Sequence, residues 1–255
     1  MNKGHQSVRY ITDVIVKPHE RLILALDLAN YNNAIDIIDT FKDSIGIFKV
    51  GFELFTACGP RIIEEIRKRD KQVFLDLKYH DIPNTVAKAA AAATRHGVSM
   101  LTVHTFGGLN MLKECAQSVV SICLKENLPR PKLLGVTVLT SIDQVILRDE
   151  LGSAMSISAQ VKSLTAMAMR AGLDGIVASA HEIVIIRERF GENILIITPG
   201  IRPSWTKPDD QKRTMTPKQA LRAGADYIVM GRSIVYQPQP LNALERILNE
   251  IESIA

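Results

Sequence analysis

Val73-Phe74-Leu75-Asp76-Leu77-Lys78-Tyr79-His80-Asp81-Ile82-Pro83-Asn84-Thr85 is an apolar run that ends in charge and turns at once into a helix start. Residues two apart in a strand share a face, so Asp76 and Lys78 project the same way, as an adjacent ion pair, into the space that the strand end borders. Pro83 biases Ile82 away from helical dihedrals and itself suits a first helical turn. Val86, Ala89, Ala90 and Ala93 then repeat at helical spacing. The charges therefore sit on a strand-to-helix corner.

The same alternation of a short apolar run and a longer amphipathic one continues in both directions. Predicted strands lie at Leu22 to Leu26, Gly46 to Val50, Val73 to Leu77, Met100 to Val103, Leu134 to Leu139, Gly175 to Ala178, Ile194 to Ile197 and Tyr227 to Met230. Each is rich in Val, Ile or Leu, as a parallel strand buried on both faces requires. Between them run apolar stripes at helical spacing. Ala34, Ile37, Ile38 and Phe41 mark one; Pro60 opens another with Ile62, Ile63 and Ile66; Leu241, Leu244, Ile247, Leu248 and Ile251 mark the last. Gly97, Gly172 and Gly224 stand where helices close. Eight strand-helix units without a Pro-rich or Gly/Ser-rich linker predict one α/β domain over residues 1–255, a (β/α)8 TIM barrel, with residues 1–20 as an N-terminal extension of unassigned role. A doubly wound open sheet is the competing architecture.

In such a barrel the chemistry stands at the carboxyl ends of the strands. The predicted ends are Asp27, Lys49, Asp76 with Lys78, His104, Thr140, Ser179, Thr198 and Gly231, most of them polar or ionisable. Lys49 interrupts the apolar run Ile47-Phe48-Lys49-Val50, and strands 2 and 3 should be neighbours, which brings Lys49, Asp76 and Lys78 together at the barrel mouth. A unit charge pair about 4 Å apart is worth roughly 4 kcal/mol at an effective dielectric near 20 and about 1 kcal/mol in water, so such an array acts only where water is excluded. The competing reading is a structural ion-pair network on the barrel rim.

A phosphate in this fold commonly lies between the loops after strands 7 and 8, near a short helix. Thr198-Pro199-Gly200-Ile201-Arg202-Pro203 and Gly231-Arg232-Ser233-Ile234 supply glycines for close backbone approach and two guanidinium forks. Between them Ser204 to Thr214 is a long polar connection containing Trp205, the single tryptophan, and it reads as a lid that would exclude water. His80, His104 and His181 have no metal-ligand spacing, and neither a Walker-type loop nor a strand followed by G-x-G-x-x-G is present.

The net charge of +4 comes from interspersed Lys, Arg, Asp and Glu, which fits a small anionic ligand and speaks against a nucleic-acid footprint. Cys58, Cys115 and Cys123 lack C-x-x-C spacing and fit a reduced compartment. The first twenty residues carry charges and no signal-peptide core, and the longest uncharged stretch, Gly97 to Leu112, contains Gly107 and Gly108 and is too short to span a bilayer. A cytoplasmic protein without membrane contact is expected.

Leu24-Ala25-Leu26-Asp27, Phe48-Lys49-Val50-Gly51, Asp76 to Thr85, Val138-Leu139-Thr140-Ser141, Thr198 to Pro203 and Met230-Gly231-Arg232, in this order, resemble the orotidine 5'-phosphate decarboxylases over roughly Leu22 to the carboxyl terminus, with no departure at the motif positions. The resemblance implies decarboxylation of orotidine 5'-phosphate to uridine 5'-phosphate, the last step of de novo pyrimidine synthesis, with neither metal nor organic cofactor. It implies Lys78 as the catalytic lysine, Asp76 facing the departing carboxylate, and Lys49 with Asp27 holding the ribose hydroxyls. Thr140 and Ser141 would meet the base, Gln211 would come from the lid, and Arg202, Gly231 and Arg232 would bind phosphate. Asp81 and Thr85 would reach into the partner's site of a homodimer. Two alternatives are a magnesium-dependent hexulose-phosphate synthase-like lyase, reusing Asp76 and Lys78 around a metal, and a catalytically silent nucleotide-phosphate binding protein, which would need Arg202 and Arg232 but not Lys78.

Overall fold

In the computed structural model, residues 18–205 and 215–253 are described. The expectations for the extension up to residue 17, and for Thr206 to Thr214 with Gln211, lie outside the described residues. Pro18–Arg21, a 3-10 turn, leads into β1 (Leu22–Leu26). The remaining strands are β2 (Ile47–Gly51), β3 (Gln72–Tyr79), β4 (Met100–His104), β5 (Lys132–Val136), β6 (Gly175–Val177), β7 (Leu195–Thr198) and β8 (Tyr227–Met230). The helices that alternate with them are α1 (Tyr31–Phe41), α2 (Phe52–Cys58), α3 (Arg61–Arg67), α4 (Pro83–Arg95), α5 (Gly108–Glu126), α6 (Ile157–Ala171), α7 (Ile183–Phe190), α8 (Pro217–Arg222), α9 (Arg232–Val235) and α10 (Pro240–Glu252).

All strand pairings are parallel between consecutive strands, and Leu22, Ile23 and Leu24 of β1 register with Ile228, Val229 and Met230 of β8. The sheet is therefore a closed barrel, and the open doubly wound alternative is set aside. β1 and β2 are buried at every position, which is why they read as unbroken apolar runs. One face of the strands fills the barrel interior with Ile23, Ala25, Ile47, Phe74, Met100, Leu134, Ile197 and Val229. The other face packs under the helices, where Ala34, Ile38 and Phe41 of α1 and Ile62, Ile63 and Ile66 of α3 are buried. Burying each such aliphatic or aromatic side chain stabilises the fold by about 1.5–3 kcal/mol. Helix starts are fixed by side-chain caps: Asn30 accepts from Asn33 N–H, Ser156 from Ala159 N–H, and Thr216 with Gln219 forms a reciprocal capping box. Gly97, Gly172 and Gly224, predicted to close helices, all have positive φ at the ends of α4, α6 and α8.

At the amino-terminal end of the barrel, two corners repeat. Asp174, just before β6, accepts the Leu133 N–H of β5 at 2.8 Å and pairs with Arg130 at 2.7 Å. Asp226, just before β8, accepts the Ile196 N–H of β7 and pairs with Arg187, both at 2.6 Å. The Arg187 guanidinium also donates to the carbonyls of Gly191, Ile194 and Gly224. Each corner ties a strand to its predecessor from below.

Some boundaries differ from the sequence reading. β5 runs Lys132–Val136, so Val138 and Leu139, predicted as strand, lie in the loop above it, with Val138 still buried. Two short helices, α2 and α3, follow β2 where one stripe was read; Gly59 and Pro60 break them apart. β3 is longer than predicted and contains Lys78, and its pairing with β4 shifts register between Leu75 and Tyr79. That irregularity lies inside the stretch that carries the charges.

Candidate active site

The inward face of β3 continues from Phe74 in the core to Asp76 and Lys78 at the mouth. Lys78 has φ of 42°, the left-handed region that a lysine rarely adopts, so the simple two-residue alternation brings it beside Asp76 only with a local twist. Its Nζ donates to both Asp76 oxygens at 3.0 Å. Lys49, on the inward face of β2, has its Nζ 3.0 Å from Asp27 Oδ1 and 3.8 Å from Asp76 Oδ2. Asp27, Lys49, Asp76 and Lys78 thus form one line of alternating charge, from a half-exposed Asp27 to the nearly buried Lys49 and Asp76. Their side-chain exposures are 49%, 11%, 13% and 27% in that order.

The neighbours explain why the array can form. A Cβ on Gly51 would lie 3.0 Å from Lys49 Nζ, tight enough to displace the ammonium by a few tenths of an ångström, so glycine here leaves the ammonium where it stands. The Tyr236 hydroxyl donates to the Asp27 carbonyl at 3.3 Å, fixing the end of β1. Thr102, fully buried on β4, donates to Asp76 Oδ1 at 3.1 Å and accepts the Lys78 backbone N–H at 2.8 Å. The sequence reading missed Thr102. Its signal was a hydroxyl inside the apolar run of strand 4, at the parity of the inward-facing Met100.

Two cavities meet at this array, sharing Lys49, Asp76, Pro199 and Val229. The first, about 180 Å³, is bounded by Arg202, Gly231, Arg232 and Ser233. Here α9 begins directly after Gly231, where a Cβ would lie 3.1 Å from the Ala25 Cβ and 3.2 Å from its carbonyl oxygen. The second, about 240 Å³, carries Lys78 at one side and Val138, Thr140, Ser141 and Ser179 at the other. One end is suited to an anion through its two arginines, and the other, with Phe74, Val136 and Val138 beside Thr140, Ser141 and Ser179, to a group that is partly apolar and partly polar.

The remaining sequence-predicted residues divide. Asp81 and Thr85 are exposed and line neither cavity; Asp81 Oδ1 accepts the N–H of its neighbour Ile82. Ile82, next to Asp81, is 66% exposed, and Phe52, whose ring centroid lies 5.8 Å from Lys78 Nζ, is 58% exposed, both large apolar side chains left in solvent. Gln211 falls outside the described residues. Trp205 is fixed at the start of the long connection: it packs on the outer core, and the Arg246 guanidinium lies 4.1 Å from its ring centroid. Backbone contacts tie the two ends of that connection, with Ile201 bridging to Met215 and Arg202 N–H donating to the Met215 carbonyl.

His104 stacks on His80 with ring centroids 5.4 Å apart, and burial, helped by His80 and Lys78, pushes its pKa down to about 4. It is therefore a neutral imidazole near pH 7, its Nδ1 accepting the Phe106 N–H. His181 is exposed. Among the described residues no group of three or more His, Cys, Asp or Glu side chains could hold a metal ion, and no helix is long and apolar enough to cross a membrane.

Comparison with known proteins bears on this geometry. A family model described as orotidine 5'-phosphate decarboxylase / HUMPS family matches residues 20–247. A curated orotidine 5'-phosphate decarboxylase from Moorella thermoacetica is 43% identical over 249 residues, 97% of this chain and 99% of its own. The protein of the same name from Pelobacter propionicus is 47% identical over 236 residues, 91% of this chain and 95% of its own. The crystal structure of orotidine 5'-phosphate decarboxylase from Lactobacillus acidophilus superposes with a TM-score of 0.79 at 36% identity, covering 91% of this chain and 99% of that one.

Proposed function

Because the chain belongs to the orotidine 5'-phosphate decarboxylase / HUMPS family, we propose that the charged line at its barrel mouth is the machinery of a carboxy-lyase acting on a nucleoside monophosphate. The enzyme decarboxylates orotidine 5'-phosphate to uridine 5'-phosphate, a step of pyrimidine biosynthesis. The alternative lyase of the same family is not favoured, since the curated relatives at 42–47% identity carry the decarboxylase name.

The observation that carries the assignment of roles is the sequence of contacts Asp27–Lys49–Asp76–Lys78, at 3.0, 3.8 and 3.0 Å. Loss of carbon dioxide leaves a carbanion on a ring carbon that has no electron sink, so stabilisation has to come from fixed charge at one point. In this reading Lys78 places its ammonium beside that carbon and then protonates it. Asp76 faces the departing carboxylate and holds the ammonium by two hydrogen bonds. Lys49 and Asp27 take the ribose hydroxyls, Thr140 and Ser141 the base, and Arg202, Gly231 and Arg232 the phosphate, with Gln211 joining from the connection. Preplaced charges in a site from which water is excluded need no reorganisation as the reaction proceeds. The assignment is tested by following loss of the orotidine 5'-phosphate absorbance with purified protein in the presence of EDTA. Turnover indifferent to the chelator is expected, and a strict metal requirement would favour the other lyase chemistry.

The same reading takes the whole chain as one barrel domain, with residues 1–20 an extension, in a cytoplasmic homodimer. Exposed Asp81 and Thr85, outside the cavities of their own chain and with the exposed apolar Ile82 between them, support a partner's site as their destination. A symmetric dimer with shared sites has a numerical consequence. Lys78→Ala and Asp81→Ala proteins, each inactive, should on mixing and re-equilibration recover about a quarter of the wild-type activity, because half of the dimers are mixed and each holds one intact site. No recovery despite subunit exchange would place Asp81 in its own chain's chemistry.

A further inference from the structure

We propose that Thr102 is a positioning residue for the proton donor, its hydroxyl replacing the ladder hydrogen bond that β3 cannot make where it bulges and coupling the Lys78 backbone to the Asp76 carboxylate. The inference rests on Lys78 being the proton donor.

Register defines the problem. Leu75 pairs with Leu101 and Tyr79 with Val103, so β3 advances four residues where β4 advances two. Asp76, Leu77 and Lys78 then face Thr102 alone, and the regular ladder cannot continue through them. A backbone N–H held away from water without an acceptor is costly, and the part-buried Lys78 N–H finds one in Thr102 Oγ1 at 2.8 Å. A hydroxyl has one proton to give, and that of Thr102 goes to Asp76 Oδ1 at 3.1 Å. Both capacities of one fully buried side chain are therefore used on the two residues that set the ammonium.

The consequence is geometric. Asp76 holds Lys78 Nζ from the tip, while Thr102 holds the root of the same side chain at a residue whose φ of 42° is intrinsically disfavoured. With the root tied to the hydroxyl directly and the tip tied to it through Asp76, the ammonium has little freedom to drift from the point where charge develops. Thr102 itself need not touch substrate, since it lines neither cavity. A valine has the same shape but can neither accept nor donate.

Thr102→Val should lower kcat roughly 10–100-fold with KM changed less than about threefold, since small misplacements of a reacting group act on the chemical step. Thr102→Ser, which keeps the hydroxyl, should return kcat to within a few-fold of wild type. Rates are taken per folded molecule, with near-ultraviolet circular dichroism as the measure; Thr102→Ala gives the same readout should the valine protein not fold. A valine or alanine variant with wild-type kcat, or a serine variant as slow as the valine one, overturns the proposal. Lys78→Ala measured alongside separates the two layers: loss there with normal kcat in Thr102→Val sinks only the positioning role. Retained activity in Lys78→Ala sinks the donor assignment and this inference with it.

Discussion

Lys78→Ala is expected to reduce turnover by a factor on the order of 10⁴ or more while the protein melts as wild type. A positioned general acid contributes about 10²–10⁴, and removing a fixed charge that stabilises the transition state costs about a further 10²–10³. The fold should survive because the partners of Lys78 stay provided for. Asp76 keeps the Thr102 hydroxyl at 3.1 Å and Lys49 at 3.8 Å, and the Lys78 N–H that Thr102 accepts is backbone, present in the variant as well. The check is the steady-state rate beside a thermal unfolding curve. Near-normal activity would leave the charged line as a rim ion-pair network with no chemical role.

Arg232→Ala is expected to lower kcat/KM for orotidine 5'-phosphate by roughly 10²–10⁴, with kcat falling as well as KM rising. Arg232 follows Gly231 at the start of α9 and bounds the 180 Å³ cavity together with Arg202, across the array from the Lys78 side. Anchoring energy gained there lies away from the reacting carbon, and it can assist the chemistry only by assembling the site around the substrate. The phosphate-free nucleoside supplies the control: wild type and variant should convert it at the same slow rate. If it reacted as well as the nucleotide in the wild-type enzyme, binding at the arginines would not be coupled to catalysis.

Much of this was legible in the sequence because a parallel strand buried on both faces has little room for charge. Lys49 inside Ile47 to Val50, and Asp76 with Lys78 after Val73 to Leu75, stood out against their surroundings, and the closed ring of strands brought them within 3–4 Å. The glycines and arginines after strands 7 and 8 were readable for a related reason, since the fold gives those two loops a common place. What the sequence did not display was register. A bulge is a relation between two strands, so neither the left-handed Lys78 nor the single residue opposite it follows from the periodicity of β3 alone. The end of β5 was misplaced because Val138 is buried like a strand residue although the chain has already left the ladder. Asp81 and Thr85 belong to the motif, yet they line neither cavity of their own chain, and the periodicity of one chain carries no signal for where such residues act.

The paired Asp174 and Asp226 corners tie β5 to β6 and β7 to β8 at the end opposite the charged line, through hydrogen bonds from Leu133 and Ile196. Stability and chemistry are thereby lodged at opposite poles of the same strands. At those two seams the strands are joined at the foot by contacts in which no residue of the charged end takes part, so a substitution at the mouth leaves these joints intact.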